Sequence, residues 1–201
     1  PLVPVLSAME NNGVSLNSNT LKELSVDLEH EIKKLEECVF EQAGEVFNLS
    51  SPKQLGVVLF ENMKIDEKIK KTKSGQYSTS EETLQKLAGK HSIIDNILEF
   101  RQLKKLKSTY VDALPELVNQ NTNKIHTTYS QAVAATGRLS SVNPNLQNIP
   151  IKTEKGRKVR EAFIASEGNE LYAADYSQVE LRLMAEMSGD KNMVDAFRNG
   201  H

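Results

Sequence analysis

Between residues 19 and 42, Leu21, Leu24, Leu28, Ile32, Leu35 and Val39 recur at spacings of three and four. That is one face of a helix. A long helix is therefore predicted over 19–42, with Gly44 as its stop. A shorter helix is predicted over 4–12, ended by Asn12-Gly13. Ser51-Pro52-Lys53-Gln54 has the form of a capping box with Pro at the first helical position, opening a helix to about Glu61. Residues 64–79 are polar and Lys-rich and predict a loop. Helices follow over about 80–88 and Ile93–Lys107. In the second of these, Arg101, Lys104 and Lys105 share one side, while Leu103, Leu106 and Tyr110 share the other.

Beyond residue 120 the period changes. Residues 125–130 alternate and are β-branched, predicting a strand. Residues 136–160 are rich in Gly, Pro, Asn and Ser and predict an ordered loop or short turns. Residues 162–165 and 171–174 predict two further strands around the turn Glu167-Gly168-Asn169. Helices are predicted over about 178–187 and 191–198. The order is helices first, then strands with helices, an α+β pattern with a division near residue 120. No internal repeat is present.

Composition narrows the classes. Across 201 residues, 38% are apolar, 26% are charged and none is Trp. So low an apolar fraction suggests an elongated or grooved shape, or a piece of something larger. Twenty-five basic and 27 acidic side chains leave a net charge of −2, which excludes a polycationic tail. The charge is segregated: residues 90–160 carry 12 basic against 5 acidic groups, and residues 161–201 carry 3 against 8. A polyanion-binding surface followed by an acidic site would show this pattern, as would chance variation in a mixed surface. The single cysteine, Cys38, excludes an internal disulfide framework and a multi-Cys zinc site, and fits a reducing compartment. No apolar run approaches the length of a membrane span. Pro1-Leu2-Val3-Pro4 has no signal-peptide character, and both ends read as the interior of a longer chain.

The chemistry-bearing residues lie between 101 and 182. Asp175 follows an apolar segment and precedes a helix that carries Glu180. A carboxylate there can hold Mg²⁺, which takes one or two carboxylates plus substrate phosphates. It can equally N-cap the helix. His126 has no evident partner, Cys38 reads as packing in the long helix, and Ser140 and Ser141 have no His at readable spacing.

Asp175-Tyr176-Ser177-Gln178-Val179-Glu180-Leu181-Arg182 resembles D-Y-S-Q-I-E-L-R, motif A of the family A DNA polymerases, with Val179 for Ile. Residues 135–150, including Thr136-Gly137-Arg138-Leu139-Ser140-Ser141 and Pro144-Asn145-Leu146-Gln147-Asn148-Ile149-Pro150, resemble the same family's T-G-R-L-S-S-x-x-P-N-L-Q-N-I-P block. Leu106-Lys107-Ser108-Thr109-Tyr110 is similar to its L-K-S-T-Y segment. The motifs occur in the family's order, and the resemblance, of the bacterial DNA polymerase I type, covers essentially the whole chain.

The resemblance implies a mostly helical thumb over 1–120 with its base helices. Part of an antiparallel palm sheet with flanking helices would follow over 121–201. It implies that Asp175 ligates two Mg²⁺ ions and that the Tyr176 carbonyl assists. Tyr176, Ser177, Gln178 and Glu180 would line the nucleotide site, with Glu180 leaving no room for a 2′-hydroxyl. Arg182 would support the site through an ion pair. Arg138 would reach the minor groove at the primer terminus, whose acceptors are common to all correct pairs. Asn145, Gln147, Asn148, Thr109 and Lys152 would contact template–primer DNA, where Lys152 replaces an Arg frequent in the family. Lys107, with Arg101 and Lys104, would contact duplex phosphates. The loop 64–79, with Lys64, Lys68, Lys70, Lys71 and Lys73, would be the thumb tip.

The implied partners are template–primer DNA and deoxynucleoside triphosphates, with no membrane, a monomeric state and a bacterial cytoplasmic, nucleoid-associated setting. The family's second metal-binding carboxylate, in an H-D-E motif, and its R-x-x-x-K-x-x-x-x-Y-G fingers pattern do not occur in these residues. The 201 residues alone are thus expected to bind duplex without extending a primer. The rivals are a non-catalytic DNA-binding module on the same fold and a metal-dependent phosphohydrolase built on Asp175. The second lacks the further carboxylates it would need.

Overall fold

The computed structural model describes residues 1–66, 68–69, 71–72 and 75–200, which separate into two compact units, residues 1–166 and the residues from 167 on. The architecture is α+β. The spine of the larger unit is helix α2, Ser18–Ala43. The Asn17 side chain accepts from the N–H groups of Asn19 and Thr20, and Gly44 closes the other end at φ 73°, donating to the Phe40 carbonyl. Leu21, Leu24, Leu28, Ile32 and Val39 are buried along one face, with Leu35 half-buried beside them. They meet α5, Ser92–Leu106, through Ile93, Ile94, Ile97, Phe100, Leu103 and Leu106. Each such burial contributes about 1.5–3 kcal/mol.

Helix α1 is Leu2–Asn12. Helix α3, Pro52–Val57, is capped by Ser51 and passes into a π-helical turn, Val58–Asn62, closed by Met63 N–H to the Val58 carbonyl at 2.9 Å. Only half of the predicted capping box forms. Gln54 turns its side-chain oxygen to the N–H of Asn48 instead of Ser51. The short α4, Glu81–Gln85, ends before the predicted residue 88, and a turn completes that segment.

The loop 64–79 is tied at its base. Lys71 pairs with Tyr77 in an antiparallel bridge, Phe60 packs on Tyr77 with ring centroids 5.3 Å apart, and Lys71 Nζ meets Glu61 at 2.7 Å. Lys70 and Lys73 lie outside the described residues.

Strand β1, Val14–Leu16, is central in a three-stranded antiparallel sheet, between β2, Lys124–Ile125, and β5, Phe163–Ile164. Gly13, at φ 59°, permits this. A Cβ there would stand 2.7 Å from the Ile125 carbonyl oxygen. A second ribbon pairs β3, Thr128–Ser130, with β4, Ser140–Val142, in the register Tyr129↔Ser141.

Four sequence expectations change. The single strand over 125–130 is two strands in two sheets, because the chain turns at His126-Thr127 and leaves β1 for β4. His126 is partnered, bonding the Glu10 carbonyl through Nδ1 at 2.8 Å and Thr122 Oγ1 through Nε2 at 2.7 Å. The expected loop 136–160 contains β4 and also helix α7, Glu154–Glu161. Thr153 caps α7, Val159 is fully buried, and Gly156 sits so close to Pro150 that a Cβ would lie 2.7 Å from its ring. Residues 171–174 form no strand. They have no regular secondary structure and are exposed, with Tyr172 at 92%.

Within the smaller unit, α8, Val179–Ser188, ends at Gly189 with φ 65°, and α9, Lys191–Arg198, is capped by Asp190.

Candidate nucleic-acid and nucleotide site

Helix α5 does not stop at Leu106. It runs into a π turn, Lys107–Val111, closed by Asp112 N–H to the Lys107 carbonyl at 2.9 Å, and then into α6, Ala113–Glu116. The wider turn re-aims Lys107, Thr109 and Tyr110 relative to the α5 register. Lys107 Nζ lies 2.7 Å from Asp112 Oδ2 and 3.5 Å from Glu29 Oε2, and Ser25 Oγ donates to the other Asp112 oxygen at 2.7 Å. The bond to Asp112 raises the Lys107 pKa above its ordinary value. Partial burial pushes the Asp112 carboxyl upward, but the bonds from Lys107 and Ser25 outweigh it and hold the group low.

Lys104 Nζ bonds Ser50 Oγ at 2.7 Å, and Thr109 is exposed. Arg101 departs from the expected phosphate-facing row. Its guanidinium is half-buried and donates to the carbonyl and hydroxyl of buried Thr79. Burial lowers its pKa against the opposing field of Glu81.

The loop after β4 is built on a buried polar knot. Thr127 Oγ1 lies 2.7 Å from Ser141 Oγ, 3.0 Å from the Val142 carbonyl and 2.7 Å from the Pro144 carbonyl. Ser141 Oγ in turn accepts from Leu146 N–H at 3.2 Å. Thr127 and Ser141 are 7% and 1% exposed, so these bonds form without competition from water. The knot holds Asn145, Gln147 and Asn148 at the surface. Asn145 Oδ1 accepts from Gln147 N–H at 3.0 Å, and Gln147 Nε2 donates to the Leu139 carbonyl at 3.0 Å. Tyr110 from the π turn donates to the Asn148 carbonyl at 2.6 Å. Two of the sequence motifs therefore meet in one surface. Arg138 is exposed just after Gly137, and Lys152 is exposed just before α7.

In the smaller unit, the α8 N-cap is Gln178, in the left-handed region at φ 53° with no side-chain cap bond. Asp175, three residues earlier, is therefore not the helix cap, and its carboxylate is exposed. Tyr176 is 80% exposed, Ser177 is exposed in the turn, and Glu180 stands in the first turn of α8. Arg182 supports this turn through a hydrogen bond and a ring contact. Its Nε donates to the Ser177 carbonyl at 3.0 Å, and its guanidinium lies 4.7 Å from the Phe197 ring centroid. Among the described residues, no group of three or more His, Cys, Asp or Glu side chains converges to hold a metal ion, and no helix is long and apolar enough to cross a membrane.

The sequence model of DNA polymerase family A matches residues 18–201. The chain belongs to DNA polymerase family A. DNA polymerase I of Bacillus subtilis (strain 168) is 50% identical over 200 residues, covering 99% of this chain and 22% of the relative. That of Chloroflexus aurantiacus is 51% identical over 203 residues, covering 100% and 22%. The fold is similar to that of the POL domain of Pol1 from M. smegmatis, solved in complex with DNA primer-template and dNTP. The TM-score is 0.84 at 42% identity, over 98% of this chain and 34% of that one. This family A chain spans about a fifth of the length of the curated relatives it matches.

The structure gives roles to residues that sequence reading left without one. Thr127 and Ser141 form the knot under the loop, and Glu29, Asp112 and Ser25 surround Lys107. An Asp two residues after the L-K-S-T-Y-like segment was a visible signal for one of them.

Proposed function

We propose that this chain is the thumb, residues 1–120, and the N-terminal part of the palm, residues 121–201, of a DNA-directed DNA polymerase. Such an enzyme adds deoxynucleotides to a primer 3′ end. The observation that supports this most directly is the likeness over 98% of the chain to a polymerase domain solved with primer-template and dNTP. Template–primer duplex is taken by Lys104, Lys107, Thr109, Arg138, Asn145, Gln147, Asn148 and Lys152. Arg101 leaves this set, because its guanidinium is committed to Thr79.

The incoming nucleotide is met by Tyr176, Ser177, Gln178 and Glu180, with Glu180 excluding a 2′-hydroxyl. The exposed Asp175 carboxylate and the Tyr176 carbonyl have the hard-oxygen chemistry that suits Mg²⁺. When bound, a pair of such ions stabilises charge on the attacking and leaving oxygens. The chain supplies one carboxylate to that centre, so the 201 residues by themselves bind duplex without extending it. The complete enzyme acts as a monomer in the bacterial cytoplasm, at the nucleoid.

The test is primer extension on a recessed template by the full-length protein with Mg²⁺ and all four deoxynucleotides. Extension that stops on chelation supports the reading. Duplex binding with no extension under any divalent cation would replace it with a non-catalytic DNA-binding module.

A further inference from the structure

Lys107, on the surface proposed to take duplex phosphates, is held by two carboxylates. Its side chain is 18% exposed, whereas those of Asp112 and Glu29 are 45% and 48% exposed. The ammonium is thus pinned from the solvent side by groups that water can solvate when it leaves. Asp112 is itself oriented by Ser25 from α2, so the arrangement spans α2 and the π turn. A cleft of about 280 Å³ opens beside it, lined also by Lys33, Glu36, Lys104 and Ser108. A phosphate that takes Lys107 meets an ammonium already shared with two carboxylates and competes with them for it.

From this geometry we infer that Asp112 and Glu29 are internal counter-anions of the duplex surface. They hold Lys107 ordered while DNA is absent and compete with phosphate for it when DNA arrives. The inference rests on the proposed duplex role of Lys107. Partly exposed ion pairs are weak, so the exchange is readily reversible. Phosphate contacts give affinity through counterion release, with a slope of about 0.9 per neutralised phosphate. A Lys107 contact that first ejects a carboxylate releases less, because the freed carboxylate attracts cations. Asp112 and Glu29 therefore lower duplex affinity and flatten its salt dependence. They are positioning residues, since they act through Lys107.

The experiment measures duplex affinity of the full-length protein by fluorescence anisotropy over a salt series, with Asp112→Asn and Glu29→Gln. Each should tighten binding roughly 2–5-fold, the size of one partly exposed ion pair. Each should also steepen the log–log salt slope, by at most about 0.9. Glu36→Gln lines the same cleft without a bond to Lys107 and reports the general effect of removing one negative charge. On a Lys107→Ala background, Asp112→Asn should gain no more than Glu36→Gln does. Ser25→Ala frees Asp112 without changing charge and should shift affinity in the same direction by less, which keeps the test valid if Asp112→Asn folds poorly.

An Asp112→Asn gain no larger than that of Glu36→Gln, or one that survives in Lys107→Ala, overturns the inference. Weaker binding by Lys107→Ala in that case leaves the duplex role of Lys107 standing. If Lys107→Ala changes binding in neither background, that role fails and the inference fails with it.

Discussion

The phenolic hydroxyl of Tyr110 donates to the backbone carbonyl of Asn148 at 2.6 Å, joining the π turn after α5 to the loop after β4. The two segments are 38 residues apart in sequence, and each carries residues proposed to touch DNA. Tyr110→Phe removes only the donor. It should cost about 0.5–1.5 kcal/mol of stability. It should also weaken duplex binding, through the loop and not through lost charge, so the salt slope should stay unchanged. Chemical denaturation and anisotropy titrations at several salt concentrations check both parts.

Thr127→Val keeps the shape of a buried side chain and removes its hydroxyl. Ser141 Oγ and the Pro144 carbonyl then lose a shared partner away from water. A loss of about 1–3 kcal/mol is expected, the cost of leaving such groups unpaired. Thr127→Ser restores the hydroxyl and should recover most of it. Urea midpoints of the three proteins decide the matter.

Asp175→Asn should separate chemistry from binding. The carboxylate is exposed and caps no helix, so the fold does not depend on it. Primer extension by the full-length protein should fall on the order of 10³-fold, equivalent to about 4 kcal/mol of barrier. Duplex affinity should stay within a factor of about 2, well under the tenfold that 1.4 kcal/mol represents. Single-turnover extension and equilibrium binding on the same preparations give the two numbers.

Arg101→Ala leaves the buried Thr79 carbonyl without its guanidinium. The segment that closes the Lys-rich loop should loosen, and limited proteolysis should cut near residues 77–80 faster than in the parent. Arg101→Lys should rescue only in part, because an ammonium lacks the planar fork that reaches both Thr79 oxygens.

The Lys107–Asp112 pair has a defined pH signature. Asp112 is held below its ordinary 3.8, so its contribution is present above that value and is lost as pH falls through its folded pKa. Lys107 is held above its ordinary 10.5, so its contribution is present below that value and is lost as pH rises through its folded pKa. Between about pH 5 and about pH 9 the difference in stability between the parent and Asp112→Asn should be constant. It should shrink in acid. Denaturation midpoints across that range measure it directly.

Much of this fold is legible in the chain. The six apolar residues of α2 fix its buried face, and the stop at Gly44 follows from capping chemistry, whereas the Asn17 cap emerged only with the structure. Helix α7 was not legible from its apolar pattern, because Val159 is its single large apolar residue, although Thr153 was a readable cap. Residues 171–174 misled for a different reason. A short apolar run says that a surface wants cover, and a strand exists only where a neighbouring strand supplies hydrogen bonds.

At the candidate site the residue types were readable but their engagements were not. That Lys107 faces two carboxylates depends on a π turn and on α2, some 80 residues earlier in the chain. That Arg101 turns inward depends on Thr79, which nothing in its local helix predicts.

The sheet around β1 bears on how the chain is made. Ser15 is in register with Ile164, about 150 residues later. At a synthesis rate of about 5–20 residues per second, that edge of β1 waits roughly 7–30 s for its partner to be translated. Helices α2 and α5 have both been translated well before then, so the helical core can form on the nascent chain while one side of β1 is still unpaired. The exposed edge is three residues long, and so short a strand gives another chain little to pair with during the wait.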